Sequence, residues 1–486
     1  MNIFKKAVKN KFITFLIVPG VLIVLFSLFF DVSGAGKGGV GPAQFVIIDF
    51  GAALALLGVG LALSRWEPSQ PAVRTRWLDR ISSAPNIIWI LTGVFIAYLI
   101  FLIFPVFLNP THGVVYFNRY LPEHYPIGWD IIATIDSIKS WFTEGVSKVY
   151  YPPLVNILFA PLLLVSYPIY YYIVTILTVI SYFLFGFLLP FIIVAKENRS
   201  VVSFLFGISI FSYGLQFELE RGQFHTIALL LCVSAVYLFH RHPQYRFFAY
   251  VLFCISVQFK IYPALFFVLF VDDWRDWKNN IKRFAALGLV NFLLLFLLGF
   301  SYFSNFIAHI QASSTGPVET WSGNHSITGF LNYLLLPKTG LLGEGSQVWL
   351  GKNINLLGNL FLLYFAISFL IVWVNAYRRN IRGIDSSLMM VCLIGGLLIP
   401  SINHDYTLPL LTAPFALIAS EQYIRDVLPK RMMIIVLLII SSFTYALTLL
   451  PFLRKPLYLK SNFPLLIILL TATTLFSFLR KKEDVI

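Results

Sequence analysis

Residues 128–153 read GWDIIATIDSIKSWFTEGVSKVYYPP, and this stretch decides how the chain is read. It is polar and carries the acids Asp130, Asp136 and Glu144, yet it lies between long apolar runs. Ile131, Ile132, Ile135, Ile138 and Trp141 recur at helical spacing. The spacing predicts an amphipathic helix lying at a membrane surface, with Asp130 at its start. Asp130 and Asp136 are six residues apart, which places them about 120° from each other around such a helix. A carboxylate at a helix start can simply cap it, and Asp136 can simply face water. A chain that needs only anchoring has little use for Asp130 and Asp136 beside Trp129, Trp141 and Tyr151-Pro-Pro at a bilayer edge. A membrane enzyme drawing its substrate from lipid does.

Outward from this stretch, composition sets the class. The chain has 486 residues, 58% hydrophobic and 12% charged, with a mean hydropathy of +0.81. A soluble core cannot use that much apolar surface, whereas each membrane span takes roughly 20 apolar residues. The reading is an all-α polytopic membrane protein of about 11–13 spans, with no internal repeat and no low-complexity tract. The net charge of +14 comes from basic residues at the ends of apolar runs. That fits topology setting and contact with membrane lipids rather than nucleic acid. Cys232, Cys254 and Cys392 lie inside apolar runs with no metal spacing, as small buried residues do.

Charge then sets the expected orientation. Lys5, Lys6, Lys9 and Lys11 precede the apolar run 12–30 and place the N-terminus in the cytoplasm. That run is too long for a cleaved signal and reads as a first span. Residues 31–44 form a Gly-rich outer turn, 45–63 return, and Arg65, Arg74, Arg76 and Arg80 mark an inner loop. Residues 86–108 cross outward, which puts the Asp130 segment outside. Arg378, Arg379, Arg382, Arg425, Lys430, Arg431 and 480–482 read as inner, as does the loop 272–283 ahead of an outward span at 284–303. The chain is thus expected to be one unit: spans in 1–108, an external loop 109–152 and central spans 153–304, then an external loop 305–352 and spans 353–486. The apolar segments in 154–271 are too short or too interrupted to be all full crossings. Broken or re-entrant helices are expected there, lining a cavity.

Ionisable groups inside such runs cost about 2.5–3.5 kcal/mol each on insertion scales and are commonly functional. Glu218, Glu220, Arg221, Gln223 and His225 interrupt two apolar runs, either as a structural Glu–Arg pair or as polar groups of a sugar or phosphate pocket. Lys260, next to Tyr262 and Pro263, pairs with a carboxylate such as Glu220 or holds an anionic ligand. Trp321, Asn324 and His325, with His404, Asp405 and Tyr406, offer hydrogen bonds and aromatic platforms for sugar hydroxyls, or serve as ordinary loop residues. Their spacing fits no strong metal pattern.

These pieces, in this order, resemble the type C membrane glycosyltransferases, and within them glycosyltransferase family 87. The resemblance covers about 125–425. It rests on Gly128-Trp-Asp130, Tyr151-Pro-Pro-Leu154, Glu220-Arg-Gly-Gln223, Lys260-Ile-Tyr-Pro263, Gly323-Asn-His-Ser326 and His404-Asp-Tyr406. Gln223 is followed by Phe-His where many members are expected to have Val-Asn. The resemblance implies a type C bundle that moves a hexose, mannose in many members, from a polyprenyl-phosphate donor. The acceptor would be a lipid-linked or cell-envelope glycan, and transfer would occur on the outer face of the plasma membrane. It implies inversion with an Asp of the first large external loop as base, a position matched by Asp130, with Asp136 as the alternative. Lys260 and Arg221 would hold the departing lipid phosphate. Tyr151, Glu220, Gln223, His225, Tyr262, Asn324, His325, His404, Asp405 and Tyr406 would line the substrate pocket. It calls for no metal and no cofactor. Two other classes stay open: a polysaccharide polymerase or ligase using lipid-linked glycans, and a lipid or sugar transporter.

Overall fold

The computed structural model describes residues 90, 91, 93, 94, 126–144, 151–167, 169–210, 212–315, 323–336, 342–421 and 462–479. Outside them lie nearly all of the expected N-terminal spans, the loop parts 109–125 and 145–150, Trp321, and the basic groups at 425–431 and 480–482.

The described residues are helical, with one isolated antiparallel bridge between Asn324 and His404. They hold two helices long and apolar enough to cross a membrane, or up to four if each of two bent pairs is one span. The protein is an all-α membrane protein. Helix α1 is Trp129–Glu144, and α2 is Pro153–Phe159, tightening into a 3₁₀ turn to Leu164. Helix α3 runs Ile169–Ile193 through a π-turn at Leu184–Leu188. Helices α4 (Arg199–Ser209) and α5 (Tyr213–Arg221) are bent 57° apart. Helices α6 (His225–Arg241) and α7 (Arg246–Phe259) form a packed hairpin, followed by the 3₁₀ stretch Tyr262–Leu269.

The span expected at 284–303 is divided. Helix α8 (Trp277–Leu294) and helix α9, beginning at Gly299, meet at 101°. Gly299 has φ +87°, a left-handed value that glycine adopts without strain. The bend lays α9 (Gly299–Thr315) back toward α1, where Tyr302 packs edge-on against Trp141 and donates to the Tyr151 carbonyl at 2.8 Å. The described parts of 305–352 are largely helical, taking in the end of α9, α10 (Ile327–Leu334) and the start of α11 (Glu344–Arg379).

Burial separates the inner helices from those facing lipid. Helix α12 (Ser386–Leu398) is apolar on every side and all of its residues are buried, as a central helix must be. It packs against the 3₁₀ stretch after α7 and against α14 (Phe463–Leu479), while α13 (Thr412–Ala419) packs on α4. Helix α11 instead exposes Leu356, Leu360, Leu363, Ile367 and Leu370 along one stripe. In water that stripe would be costly. In a bilayer it is an ordinary lipid contact.

Candidate active site

Two glycines bring the site together. Gly222 ends α5 in the left-handed conformation, φ +67°. Its N–H and that of Gln223 close the last turn onto Leu219 and Glu218, a glycine C-cap. A Cβ at Gly222 would sit 2.7 Å from the Ile131 side chain and 3.3 Å from the Gly128 Cα. Gly128, with φ +78°, precedes α1 and donates its N–H to the Glu220 carbonyl at 2.7 Å. The start of α1 thus lies directly on the end of α5. Ile131, Ile135 and Ile138 turn inward and are buried, while Asp136 is exposed to the other side.

This contact places Asp130 against Arg221. The Arg221 Nε donates to Asp130 Oδ2, and Nη2 donates to Oδ1 at 2.8 Å. Gln223 Nε2 adds a second donor to Oδ2 at 2.6 Å. Gln223 Oε1 accepts from Lys260 Nζ at 2.9 Å, and Nζ also donates to the Tyr151 hydroxyl at 3.2 Å. One chain of contacts therefore joins Arg221, Asp130, Gln223, Lys260 and Tyr151. Aromatic faces surround both cations. Lys260 Nζ lies 4.5 Å from the centres of the Tyr151 and Phe224 rings, and the guanidinium of Arg221 lies over Phe217 and Tyr406. Such contacts stabilise a cation taken from water.

Lys260 sits where α7 ends. Its backbone is extended, and the 3₁₀ stretch then starts at Tyr262 with Pro263 in its first turn. Among the described residues it forms no ion pair with a carboxylate. The Glu220 side chain is partly exposed, and it is the residue's backbone carbonyl that grips Gly128. The buried acid of this segment is Glu218, whose carboxylate accepts from the Thr226 N–H and hydroxyl at 2.8 and 2.7 Å. Phe224 offers α6 no side-chain cap, so Glu218 satisfies the helix start and complements its dipole. His225 lies between Tyr262 and Tyr406, with ring centres 5.9 and 5.2 Å away. Tyr262 donates its hydroxyl to the His225 carbonyl at 3.1 Å.

The second group of residues forms a brace beside the site. Asn324 pairs with His404 as the antiparallel bridge. Flanking bonds run from His325 N–H to the Asn403 carbonyl and from Asp405 N–H to the Gly323 carbonyl, both 3.0 Å. His325 Nδ1 meets Asp405 Oδ1 at 3.3 Å, and Asn462 at the start of α14 donates to the same oxygen at 3.1 Å. All of these side chains are buried. Tyr406 is buried as well, packed on Phe217, His225 and His404.

A cavity of about 890 Å³ opens over this assembly, within the range of small-molecule sites. Trp129, Asp130, Thr134 and Tyr151 form one wall, and Ile261, Tyr262 and Leu265 another. Gly395 and Gly396 of α12 line it together with Ser401 and Ile402 of the braced loop. A Cβ on Gly396 would lie 3.0 Å from the Tyr262 side chain. Of the residues expected at the site, Asp130, Tyr151 and Tyr262 line the cavity, while Glu220, Arg221, Gln223, His225, Lys260, Asn324, His325, His404, Asp405 and Tyr406 stand around it without lining it. His309 of α9 lines it, and so does Thr134, whose hydroxyl donates to the Asp130 carbonyl at 2.7 Å. Neither stands out in the sequence: His309 is a lone histidine in an apolar helix, and only the bend before α9 turns it inward. The adjacent glycines of α12 were the available signal for a closely approached wall. Among the described residues, no group of three or more His, Cys, Asp or Glu side chains could hold a metal.

The arrangement offers a carboxylate on the wall of an apolar cavity, with Arg221 bonded to it and Lys260 behind Gln223. That set suits the removal of a proton from a hydroxyl beside a departing anion. No curated protein matches the chain. The sequence model of glycosyltransferase family 87 matches residues 150–401, just over half of the chain, and takes in Tyr151, Arg221, Gln223, Lys260 and the cavity wall up to Ser401. Asp130 precedes the matched segment, and His404, Asp405 and Tyr406 follow it. With that match resting on the same helices that build the cavity, the chain belongs to glycosyltransferase family 87.

Proposed function

We propose that this membrane glycosyltransferase moves a hexose, mannose by preference, from a polyprenyl-phosphate donor to a lipid-linked or cell-envelope glycan. We place transfer on the extracytoplasmic face of the plasma membrane, with inversion at the anomeric carbon and Asp130 as the base. The observation that carries this reading is the seating of Asp130 at the cavity. Its side chain is 12% exposed. Oδ2 takes two donors and Oδ1 only one, so Oδ1 keeps capacity for an acceptor hydroxyl.

In the proposed step the acceptor oxygen bonds to the anomeric carbon as the bond from that carbon to the phosphate oxygen breaks. The hydroxyl proton passes to Asp130, and the pair of electrons leaves with the polyprenyl phosphate. Arg221 and Lys260 lie next to the base and can offset that charge in a water-poor site. The apolar rim of Ile261, Leu265, Ile310 and Ile399 suits the first isoprene units of the donor. A donor panel tests the reading: purified protein in vesicles should transfer sugar from polyprenyl-phosphate mannose or glucose and not from their nucleotide-linked forms. Product of retained anomeric configuration, or transfer from nucleotide sugars alone, would overturn it.

A further inference from the structure

A second cavity, of about 460 Å³, lies at the other end of the helices that carry the site. Helix α6 begins at His225 beside the catalytic cluster and ends at Arg241, about 24 Å along its axis at ~1.5 Å per residue. Helix α3 runs alongside it, held near the site by a bond from the Thr178 hydroxyl to the Gln223 carbonyl, and ends at Ile193. Between the two far ends the chain presents Lys196, Arg199, Arg241 and His242 around one concavity, closed by Tyr237 and the backbone turn 192–195.

The four basic side chains come from two separate segments, so they are gathered by the fold and do not form a run. Arg199 is 5% exposed and lies 4.8 Å from the Phe191 ring centre, anchored inside the wall. Asn198 fixes the same turn by donating to the Ser420 carbonyl at 2.7 Å. Lys196 and Arg241 are exposed and form no ion pair among the described residues. On the loop after the 3₁₀ stretch, Asp272 and Asp273 pair with Arg246 and Arg382, while Glu197 follows Lys196 in the sequence. Immediately after His242, the large side chains of Tyr245, Phe247 and Phe248 are 48–72% exposed. Exposed aromatics of this kind sit at the headgroup level of a bilayer.

We infer that this cavity binds a phosphate-type anion at the membrane face opposite the catalytic site, supplied by the headgroup of an anionic phospholipid. The volume accommodates a phosphodiester with its glycerol, and basic pockets between helices recognise such headgroups. The wall residues Ile192, Ile193 and Val194 are apolar and can meet the first part of the acyl chains.

The test uses the full chain in nanodiscs of phosphatidylcholine alone and of phosphatidylcholine with phosphatidylglycerol, read by thermal unfolding. A parallel arm adds inorganic phosphate to the phosphatidylcholine discs. Phosphatidylglycerol should raise the unfolding midpoint. In Lys196→Gln/Arg241→Gln, roughly tenfold more anionic lipid or beyond should be needed for the same shift. Lys278→Gln/Lys282→Gln, which removes charge at the same end outside the cavity, should respond as wild type does. A shift produced by inorganic phosphate and lost in the cavity variant would keep the site and make its ligand a soluble phosphate. No shift from either anion, or equal loss of response in both variants, would overturn the inference. An unchanged midpoint in phosphatidylcholine alone verifies that the cavity variant is folded.

Discussion

Asp130 and Arg221 form a two-pronged ion pair, guanidinium Nε to Oδ2 and Nη2 to Oδ1, across the junction where α1 lies on the end of α5. Both partners are largely buried, at 12% and 19% exposure. The pair joins a candidate base to a candidate phosphate ligand. On the proposed function, a donor phosphate that reaches past Asp130 would compete with the carboxylate for the guanidinium. Arg221→Lys keeps the charge but loses the fork. Transfer by Arg221→Lys should fall about 10-fold or more, and by Arg221→Ala about 100-fold or more, measured as kcat/KM for the polyprenyl-phosphate donor. Activity within twofold of wild type in Arg221→Ala would remove the arginine from the mechanism.

Lys260 touches Asp130 only through the Gln223 amide. If its charge serves the departing phosphate, Lys260→Met should lower kcat by roughly 10–100-fold, and Lys260→Arg should recover part of it. A purely structural lysine would instead show normal kcat with a lowered unfolding temperature.

The Gly128–Gly222 contact predicts a steric result. Gly222→Ala has to place a Cβ 2.7 Å from Ile131 at positive φ, costing on the order of 1–3 kcal/mol and shifting α1. Activity should drop steeply along with thermal stability. Gly288→Ala in α8, where a Cβ meets nothing within 4 Å, should be neutral in both assays.

Asp136 and the His325–Asp405 pair separate catalysis from support. Asp136→Asn, on the exposed side of α1, should transfer sugar within about twofold of wild type. His325→Ala opens the buried brace and leaves Asp405 short of a partner. It should lose about 1–3 kcal/mol of stability while the folded fraction keeps its KM for donor.

Much of the architecture is legible in the chain itself. The isoleucine spacing after Trp129 marks α1, the apolar runs mark the membrane helices, and a lysine in mid-run marks a polar site. What the sequence does not carry is pairing over long range. Asp130 is 91 residues from Arg221, and nothing local says that Glu218 caps α6 while the Glu220 carbonyl grips Gly128. The break between α8 and α9 is hidden for a related reason. Residues 284–303 are apolar but for Asn291 and Ser301, and only the left-handed Gly299 shows where the chain turns. His309 becomes a cavity residue through that turn alone. Sequence alone does not separate the His325–Asp405 group from a pocket, because buried polar clusters and binding clusters share one composition. Burial on all sides is what distinguishes the brace.

The most direct test of the central claim compares wild type with Asp130→Asn for sugar transfer in vesicles of purified protein. The donors are polyprenyl-phosphate mannose and glucose, and total lipid extract supplies the acceptor. The asparagine keeps the size of the side chain and can still accept from Arg221, so the folded state should persist by thermal unfolding. The account predicts that wild type transfers sugar and that the variant loses at least about 100-fold in rate. A folded Asp130→Asn protein that transfers at the wild-type rate would contradict it.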